Sequence, residues 1–314
     1  MTKLKHIFSL LSLLLFWNAQ AQQDVQFSDY KLNMSSFNPA FAGYFDGSIL
    51  VIHRTQFVGL EGAPESQNLN VNIPFTEKMG MGFNAINEKL GVTKEQLLTA
   101  DYSYSLFTDD ENMLTFGLKA GFSILNVDYS LLSIDDPTDP SFMNNIEDKI
   151  SPRIGAGVLF TTPVWFIGLS TPNFIKENYN PTVTSANVTT KPHLYMTGGF
   201  QTALSADLVL KPSVLAKTVA NSPLALDLAL NFEYMQKFRF GASYRWDSAI
   251  TGIVGMEFLD NFQAGYAYDQ NISGIGKYAP SSHQFYIKFT FKKSGDMRRE
   301  CSCSYSDSAS GLGF

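Results

Sequence analysis

The chain has 314 residues, of which 45% are hydrophobic and 14% aromatic, whereas only 17% are charged and the formal net charge is -6. Soluble globular domains carry roughly 25% charged residues, so this composition argues against a soluble enzyme, and the negative charge argues against nucleic acid as a partner. The mean hydropathy of -0.05 excludes a helical membrane protein but fits strands in which apolar and polar residues alternate.

Residues 1–21 have the three parts of a secretory signal peptide. Lys3 and Lys5 form a basic start, residues 7–17 are an apolar run, and residues 19–21 read Ala-Gln-Ala, an A-x-A cleavage motif. The apolar run is shorter than the roughly 20 residues of a membrane-spanning helix, which disfavours the alternative of an N-terminal anchor. We therefore expect export with cleavage after Ala21, and no lipoprotein because no Cys follows that site.

Residues 22–46 precede the first predicted strand. They contain Phe27, Tyr30, Phe37 and Phe41, which is more aromatic residues than a disordered leader usually carries. We therefore expect this segment to pack against the barrel that the following strands predict. It would lie either in the lumen as a plug or under the periplasmic floor.

Residues 47–291 alternate between apolar and polar side chains with the period of two that indicates β-strands. Phe238 and Phe240 alternate with Arg239 and Gly241, for example. Aromatic residues on one face and charged residues on the other, over strands of about ten residues, are typical of membrane-spanning strands, since soluble strands average about 5–6 residues. We predict about 14 strands, with about 12 or 16 as alternatives because such barrels have even numbers. They lie near 47–55, 66–75, 79–88, 93–107, 112–126, 151–161, 164–171, 191–203, 206–218, 223–235, 237–247, 249–258, 261–270 and 282–291.

The connections between these strands alternate in length. The long ones include 56–65, 127–150, 172–190 and 271–281, and all fall on the same side, whereas every connection on the other side is short. Short periplasmic turns and longer external loops are typical of outer-membrane barrels. The sequence therefore predicts an all-β protein: a transmembrane, antiparallel, up-and-down β-barrel with an N-terminal plug-like segment, surrounded by outer-membrane lipid.

Charged residues of both signs are predicted to face the lumen, where they can pair with each other. We therefore expect a filled or plugged barrel rather than a wide pore, with an open, solvated lumen as the alternative. The residues are Asp101, Lys119, Lys211, Lys217, Asp227, Glu233, Arg239, Arg245 and Asp269.

Residues 292–314 follow the last predicted strand and contain the only cysteines, Cys301 and Cys303. Zinc usually takes four ligands, so two thiols make a weak metal site. We expect a periplasmic tail, with a docking peptide, a metal-binding pair or a thiol that forms mixed disulfides as alternatives.

No motif for catalysis, a cofactor or a metal is present. His53, His193 and His283 lack a metal-binding spacing, and the sequence contains neither G-x-S-x-G nor a phosphate-binding loop. The acidic stretch 135–139 lacks the Gly and terminal Glu of a calcium loop. We predict no catalytic residue, no cofactor and no metal site.

Three short motifs stand near the start of the mature chain: F-S-x-Y, N-P-A-x-A-G and R-x-Q-F-x-G-x-x-G-A-P. They resemble motifs of the PorP/SprF family of Bacteroidota, outer-membrane proteins of the type IX secretion system, although Phe57 stands where that family commonly has Trp. The residues that carry the resemblance are Gln26, Phe27, Ser28, Tyr30, Asn38, Pro39, Ala40, Gly43, Arg54, Gln56, Gly59, Gly62, Ala63 and Pro64.

The resemblance implies a role in protein secretion across the outer membrane and no catalytic residues. The implied partners are the type IX secretion machinery and the C-terminal domain of a large adhesin-like protein, such as a gliding adhesin. We expect the loops 56–65, 127–150 and 172–190 to hold this cargo. Two alternatives remain open: a transporter of hydrophobic small molecules, like the fatty-acid channels with their N-terminal Asn-Pro-Ala plug, and an outer-membrane enzyme.

Overall fold

The protein is represented by a computed structural model. It describes residues 25–44, 46–108, 112–132, 144–176, 191–220, 222–259, 261–278 and 281–291. The predicted signal peptide with its cleavage after Ala21, the acidic stretch 135–139 and the tail with Cys301 and Cys303 lie outside these residues. The middle of each of the two longest predicted loops does so as well.

The wall of the molecule is an antiparallel sheet of fourteen strands, one of which is interrupted, so that fifteen strand segments are numbered. They are β1 (Ser48–Thr55), β2 (Glu65–Pro74), β3 (Met79–Leu90), β4 (Thr93–Phe107), β5 (Met113–Val127), β6 (Ile146–Thr161), β7 (Trp165–Thr171), β8 (His193–Phe200), β9 (Thr202–Ala203), β10 (Leu208–Val219), β11 (Ala225–Tyr234), β12 (Phe238–Arg245), β13 (Ala249–Leu259), β14 (Phe262–Asn271) and β15 (Ser281–Thr290). The segments β8 and β9 are two parts of one strand, because both pair with β10 in a single register on either side of Gln201.

The sheet closes into a barrel because β1 pairs with both β2 and the last strand. Ser48 lies opposite Thr290 and Thr55 lies opposite His283 along this closing seam. Elsewhere each strand pairs with its neighbours in the chain. A closed sheet leaves no unpaired edge, which a sheet in lipid requires. The predicted antiparallel up-and-down barrel is confirmed.

One predicted boundary is clearly wrong. The strand expected to begin near residue 151 begins at Ile146, because β5 continues to Val127 and pairs with Ile146 across a bulge. Glu147 and Asp148 in this extension are both exposed, so the outer end of the strand lacks the alternation on which the prediction depended.

The two faces of the wall differ as a membrane barrel requires. On β5, Phe116 and Leu118 are 47% and 64% exposed on the outside, whereas Thr115 and Lys119 are buried on the inside. Apolar residues outside and polar residues inside reverse the pattern of a soluble protein and match lipid around a polar lumen. Among the described residues, no helix is long and apolar enough to cross a membrane.

Residues 25–44, called the leader below, lie inside the barrel. They form two 3₁₀ helices, Tyr30–Ser36 and Pro39–Phe41, and two further 3₁₀ helices, Tyr129–Leu131 and Gly274–Lys277, lie in outer loops. The leader packs most of its aromatic side chains into the main buried cluster with wall residues such as Leu159 and Leu215, and Phe27 into a second cluster with Leu50 and Ile52. Of the two places expected for this segment, the structure shows the lumen.

Candidate functional site

The leader runs along the lumen from the outer end, which carries the long loops, to the inner end. Val25 lines a cavity at the outer ends of the strands. At the other end Gly43 lies against Ile73 and Gly80, beside a short inner turn. The chain then enters β1 from the inner end, so the leader and the first strand run in opposite directions.

At the outer end the leader is held by a buried group of charged and polar side chains, called the outer latch. An Arg54 Nη2 group lies 2.7 Å from Asp269 Oδ2, and Arg54 Nη1 donates to the carbonyl oxygen of Gln26 at 2.7 Å. The Ser28 hydroxyl accepts from Arg54 Nε at 3.0 Å and donates to Asp269 at 2.7 Å. Thr251 donates to the other carboxylate oxygen at 2.8 Å. These bonds satisfy both buried charges and tie the leader to three strands.

Two further ion pairs flank the latch. Asp29 of the leader lies 2.6 Å from Arg239, and Arg245 lies 3.1 Å from Asp227 within the wall. The Gln26 side chain also donates to Asp227. Charges that the sequence assigned to the lumen therefore bind the leader or support its partners.

A buried asparagine cluster holds the middle of the leader. The Asn33 side chain donates to Asn68 at 2.7 Å and to Asn84 at 3.0 Å. Asn70 donates to Asn84 at 2.7 Å and to the Ser35 hydroxyl at 3.1 Å. These residues are not among the predicted lumenal residues, although the polar positions of β2 recur every second residue and so share one face.

Lys119 and Asp101 form an ion pair of 2.7 Å behind this cluster. Lys119 also donates to the carbonyl oxygen of Ser35 at 3.2 Å. Lys211 and Glu233 pair at 2.6 Å on the far wall. These lumenal charges are therefore paired, and Lys119 contacts the leader directly.

At the inner end the wall has glycines where the leader passes closest. A Cβ atom on Gly117 would lie 2.1 Å from Ala40 N, and one on Gly157 would lie 2.1 Å from Asn38 Oδ1. A Cβ on Gly80 would lie 2.1 Å from the carbonyl oxygen of Ala42. Gly80 and Gly117 thus leave room for the backbone of the leader and Gly157 for the Asn38 side chain, and these three residues are called the glycine cradle.

The leader itself is shaped for this cradle. Asn38 caps the short helix Pro39–Phe41, and its side chain accepts from Ala40 N at 3.0 Å. Pro39 fits the first helical position, where no donor is needed. Gly43 has a φ of 58° and its Cβ would lie 2.5 Å from the carbonyl oxygen of Ile73, so this position favours glycine.

Five motif residues lie outside the lumen, in the loop between β1 and β2: Gln56, Gly59, Gly62, Ala63 and Pro64. Gln56 N donates to the carbonyl oxygen of Pro64 at 2.9 Å and closes the loop. Gly59 and Gly62 have φ values of 95° and 73°, which other residues adopt only with strain. The structure thus divides the motif into a lumenal set and a loop set.

The outer loop that follows β5 begins with an ordered turn. Asp128 caps the helix Tyr129–Leu131 and accepts hydrogen bonds from the Ser130 hydroxyl at 2.6 Å and from Asn145 at 3.0 Å. These bonds, first of all the one from the Ser130 hydroxyl, hold the pKa of Asp128 below its ordinary value.

A cavity of about 520 Å³, called the outer cavity, opens between the outer ends of the strands and the loop beginning at Gln56. The leader forms its floor through Phe27, Tyr30 and Phe37. The cavity is therefore a recess reached from the loop side and bounded below by the leader.

The histidines His53, His193 and His283 do not form a site. His53 and His283 lie on the outward face of the wall, and His193 is buried on the inward face. Within the described ranges, no group of three or more His, Cys, Asp or Glu side chains comes together in a way that could hold a metal ion.

Several solved outer-membrane barrels have a similar fold at low sequence identity. The Acinetobacter baumannii outer membrane protein Omp33 is 7% identical, with 79% of this chain and 98% of that chain covered and a TM-score of 0.49. A Pseudomonas aeruginosa FadL homologue is 10% identical, with 82% and 93% covered and a TM-score of 0.46. The NanC porin is 10% identical, with 79% and 100% covered and a TM-score of 0.43. At these scores none of the three bears on function. No curated protein matches the chain.

A family model described as "Type IX secretion system membrane protein PorP/SprF" matches residues 19–289. The match extends from before the leader into the last strand, so it covers both the barrel and the segment that fills it. It confirms the resemblance, places the chain in the outer membrane with the secretion machinery as a partner, and is consistent with a protein that is not an enzyme. The chain belongs to the PorP/SprF family of type IX secretion system membrane proteins.

Proposed function

We propose that this chain is an accessory component of the type IX secretion system that binds a large adhesin-like cargo protein and supports its export or surface attachment. One observation carries the proposal: the leader occupies the lumen while a cavity of about 520 Å³ remains open at the loop end. A barrel closed in this way suits binding at its outer face better than conduction.

The contacts of the leader support a binding role over a channel role. Passage through the lumen would require the outer latch to open, which exposes the Arg54–Asp269 pair, and the leader to leave the glycine cradle. Departure of the leader would also separate Asp29 of the leader from Arg239 of the wall, which lie 2.6 Å apart. The same contacts support a structural role for the lumenal motif residues, namely sealing the barrel.

The loop set of motif residues supports a role at the outer surface. Gly91 N donates to the carbonyl oxygen of Gly62 at 2.9 Å, so the loop 56–64 rests on the neighbouring hairpin beside the cavity. A rigid loop loses less conformational freedom on binding than a mobile one. We propose that this loop and the cavity contact the C-terminal domain of the cargo.

The remaining parts of the proposal concern processing and location. We propose cleavage of the signal peptide after Ala21 and a periplasmic position for residues 292–314. If the cargo is a gliding adhesin, loss of this protein also abolishes gliding motility.

The proposal is tested by deleting the gene and quantifying the surface proteins of intact cells by protease shaving and mass spectrometry. The expected result is selective loss of one or a few large adhesins, restored by a plasmid copy. A surface proteome equal to that of the parent strain would overturn the proposal.

The alternative function is transport of hydrophobic small molecules, favoured by the apolar residues Phe27, Ile86 and Leu97 in the outer cavity. Growth on a long-chain fatty acid as sole carbon source separates the two functions. The alternative predicts slower growth of the deletion strain and of a strain with Asn38→Ala, whereas the secretion role predicts growth equal to the parent.

A further inference from the structure

We infer that the outer cavity is the site that binds the cargo, and that it takes a polypeptide segment presenting a carboxylate beside apolar side chains. This inference rests on the proposed function and names the chemistry by which the cargo would be recognised. It assigns recognition to the interior of the barrel rather than to the long loops alone.

Three ion pairs lie beside the cavity. In each pair the cation lines the cavity, whereas the carboxylate does not and is at most 6% exposed. The cations are Arg54, Lys119 and Arg245, and their carboxylates are Asp269, Asp101 and Asp227 respectively. In each pair the cation is therefore the member that borders the cavity, where a nearby negative group is favoured.

The charged residues that line the cavity are mostly cationic. Four Lys or Arg side chains line the cavity against two Glu side chains. Both acidic residues, Glu88 and Glu95, lie near the rim, and Arg153 Nη2 lies 2.8 Å from Glu95. Arg54 and Lys119 are more buried than Glu95. A carboxylate on a ligand would thus pass the rim and meet cations deeper in the cavity.

The cavity is also lined by apolar side chains. Apolar side chains share the lining with the cations, as in ligand sites that combine a mostly apolar surface with a few placed polar groups. These side chains are Phe27, Ile86, Leu97, Leu125, Tyr195 and Leu215. The ligand therefore carries apolar side chains next to its charge, unlike a free inorganic anion.

The leader determines from which end a ligand can enter the cavity. Phe27, Tyr30 and Phe37 of the leader close the cavity on the inner side. A segment must enter and leave from the loop end, so the ligand is a chain end or a tight loop rather than a chain in transit. The carboxylate can come from a chain terminus or from an acidic side chain, and the test separates these sources.

The binding experiment uses the full purified protein in detergent and four fluorescent synthetic peptides, read by fluorescence anisotropy. All four share a short Leu- and Val-rich sequence: one has a free C-terminal carboxylate, one is amidated and neutral, one is amidated with an internal Asp, and one is amidated with an internal Lys. Carboxylate-bearing peptides are expected to bind at least about tenfold more tightly than the neutral and basic ones. Comparing the first and third peptides identifies the source of the carboxylate. Equal affinity of all four, or no binding, would overturn the inference.

Matched variants locate the site. Leu97→Trp fills the cavity, and Leu98→Trp is its control because Leu98 is the next residue on β4 and is exposed on the outside. Arg153→Gln removes a cation from the rim, and Lys94→Gln removes an exposed cation from the outer end of β4. We expect at least about tenfold weaker peptide binding for the first of each pair and no change for its control. Folding is verified by heat-dependent mobility in gels, and Arg153→Gln keeps the test valid if Leu97→Trp does not fold.

A cellular assay distinguishes failure of this inference from failure of the proposed function. The deletion strain is complemented with the wild type, Leu97→Trp or Leu98→Trp, and surface adhesins are quantified. Normal display in the deletion strain would overturn the proposed function. Loss of display in the deletion strain, with full restoration by Leu97→Trp, would overturn only the inference about the outer cavity.

Discussion

Arg54 donates a hydrogen bond from its Nε atom to the hydroxyl of Ser28 at 3.0 Å. The first residue belongs to the first wall strand and the second to the leader, and both are almost fully buried. The same guanidinium pairs with Asp269 at 2.7 Å. The Arg54 side chain thus connects the leader, β1 and β14.

The variant Arg54→Met should lower the free energy of unfolding by about 3–5 kcal/mol, because Asp269 would remain as a buried charge without its cation. Urea unfolding in detergent, followed by the fluorescence of Trp165 and Trp246, measures this loss. Lys94→Met is the matched control because Lys94 is exposed. Equal midpoints for the two variants would contradict a stabilising role for the outer latch.

The variant Gly117→Ala should loosen the plug, because its Cβ would lie 2.1 Å from Ala40 N. We expect more frequent current steps in planar lipid bilayers than for the wild type. Gly252→Ala is the control, since no atom lies within 4 Å of a Cβ at that position. If Gly117→Ala and Gly252→Ala conduct alike, the glycine cradle does not hold the leader in place.

The variant Asn38→Ala should lower the free energy of unfolding by about 0.5–2 kcal/mol, because the helix Pro39–Phe41 loses its cap. The same urea titration measures the change. Gln67→Ala serves for comparison, since Gln67 is exposed on the outside of β2. A loss no larger than that of Gln67→Ala would argue against a capping role.

The variant Gly62→Ala should destabilise the loop 56–64, because a φ of 73° is strained for alanine, at a cost on the order of 1–3 kcal/mol. Cleavage after Glu61 by a glutamate-specific protease should become faster, and mass spectrometry of the fragments measures the rate. Gly274→Ala is the control, because Gly274 has no neighbouring atom in the way. Unchanged cleavage would show that the loop does not depend on this glycine.

The wall could be predicted from the sequence because alternation is a local signal. The strand expected near 223–235 is found as Ala225–Tyr234, and in the turn that follows it Met235 and Gln236 both have positive φ. Such turns match the twist of a hairpin. The error at Ile146 arose where Glu147 and Asp148 are exposed in succession, so that alternation no longer marks the strand.

The contacts of the leader could not be predicted, because they join residues far apart in the chain. Asn38 lies against Gly157, and Asn33 donates to Asn68 and Asn84. Neither the glycine nor the asparagines differ, in their local sequence, from residues that face other parts of the lumen. Aromatic content indicated that the leader is folded, but only the closed barrel determines which residues meet it.

The opposite directions of the leader and β1 bear on how the molecule is assembled. The leader either lies in the lumen when β1 pairs with β15 or enters the barrel after it has closed. Insertion of residues 25–44 into a closed barrel would require Asp29 and Lys31 to move past buried apolar side chains. Desolvating charged groups in this way is costly. The pairing of β1 with β15 thus closes the wall around the leader.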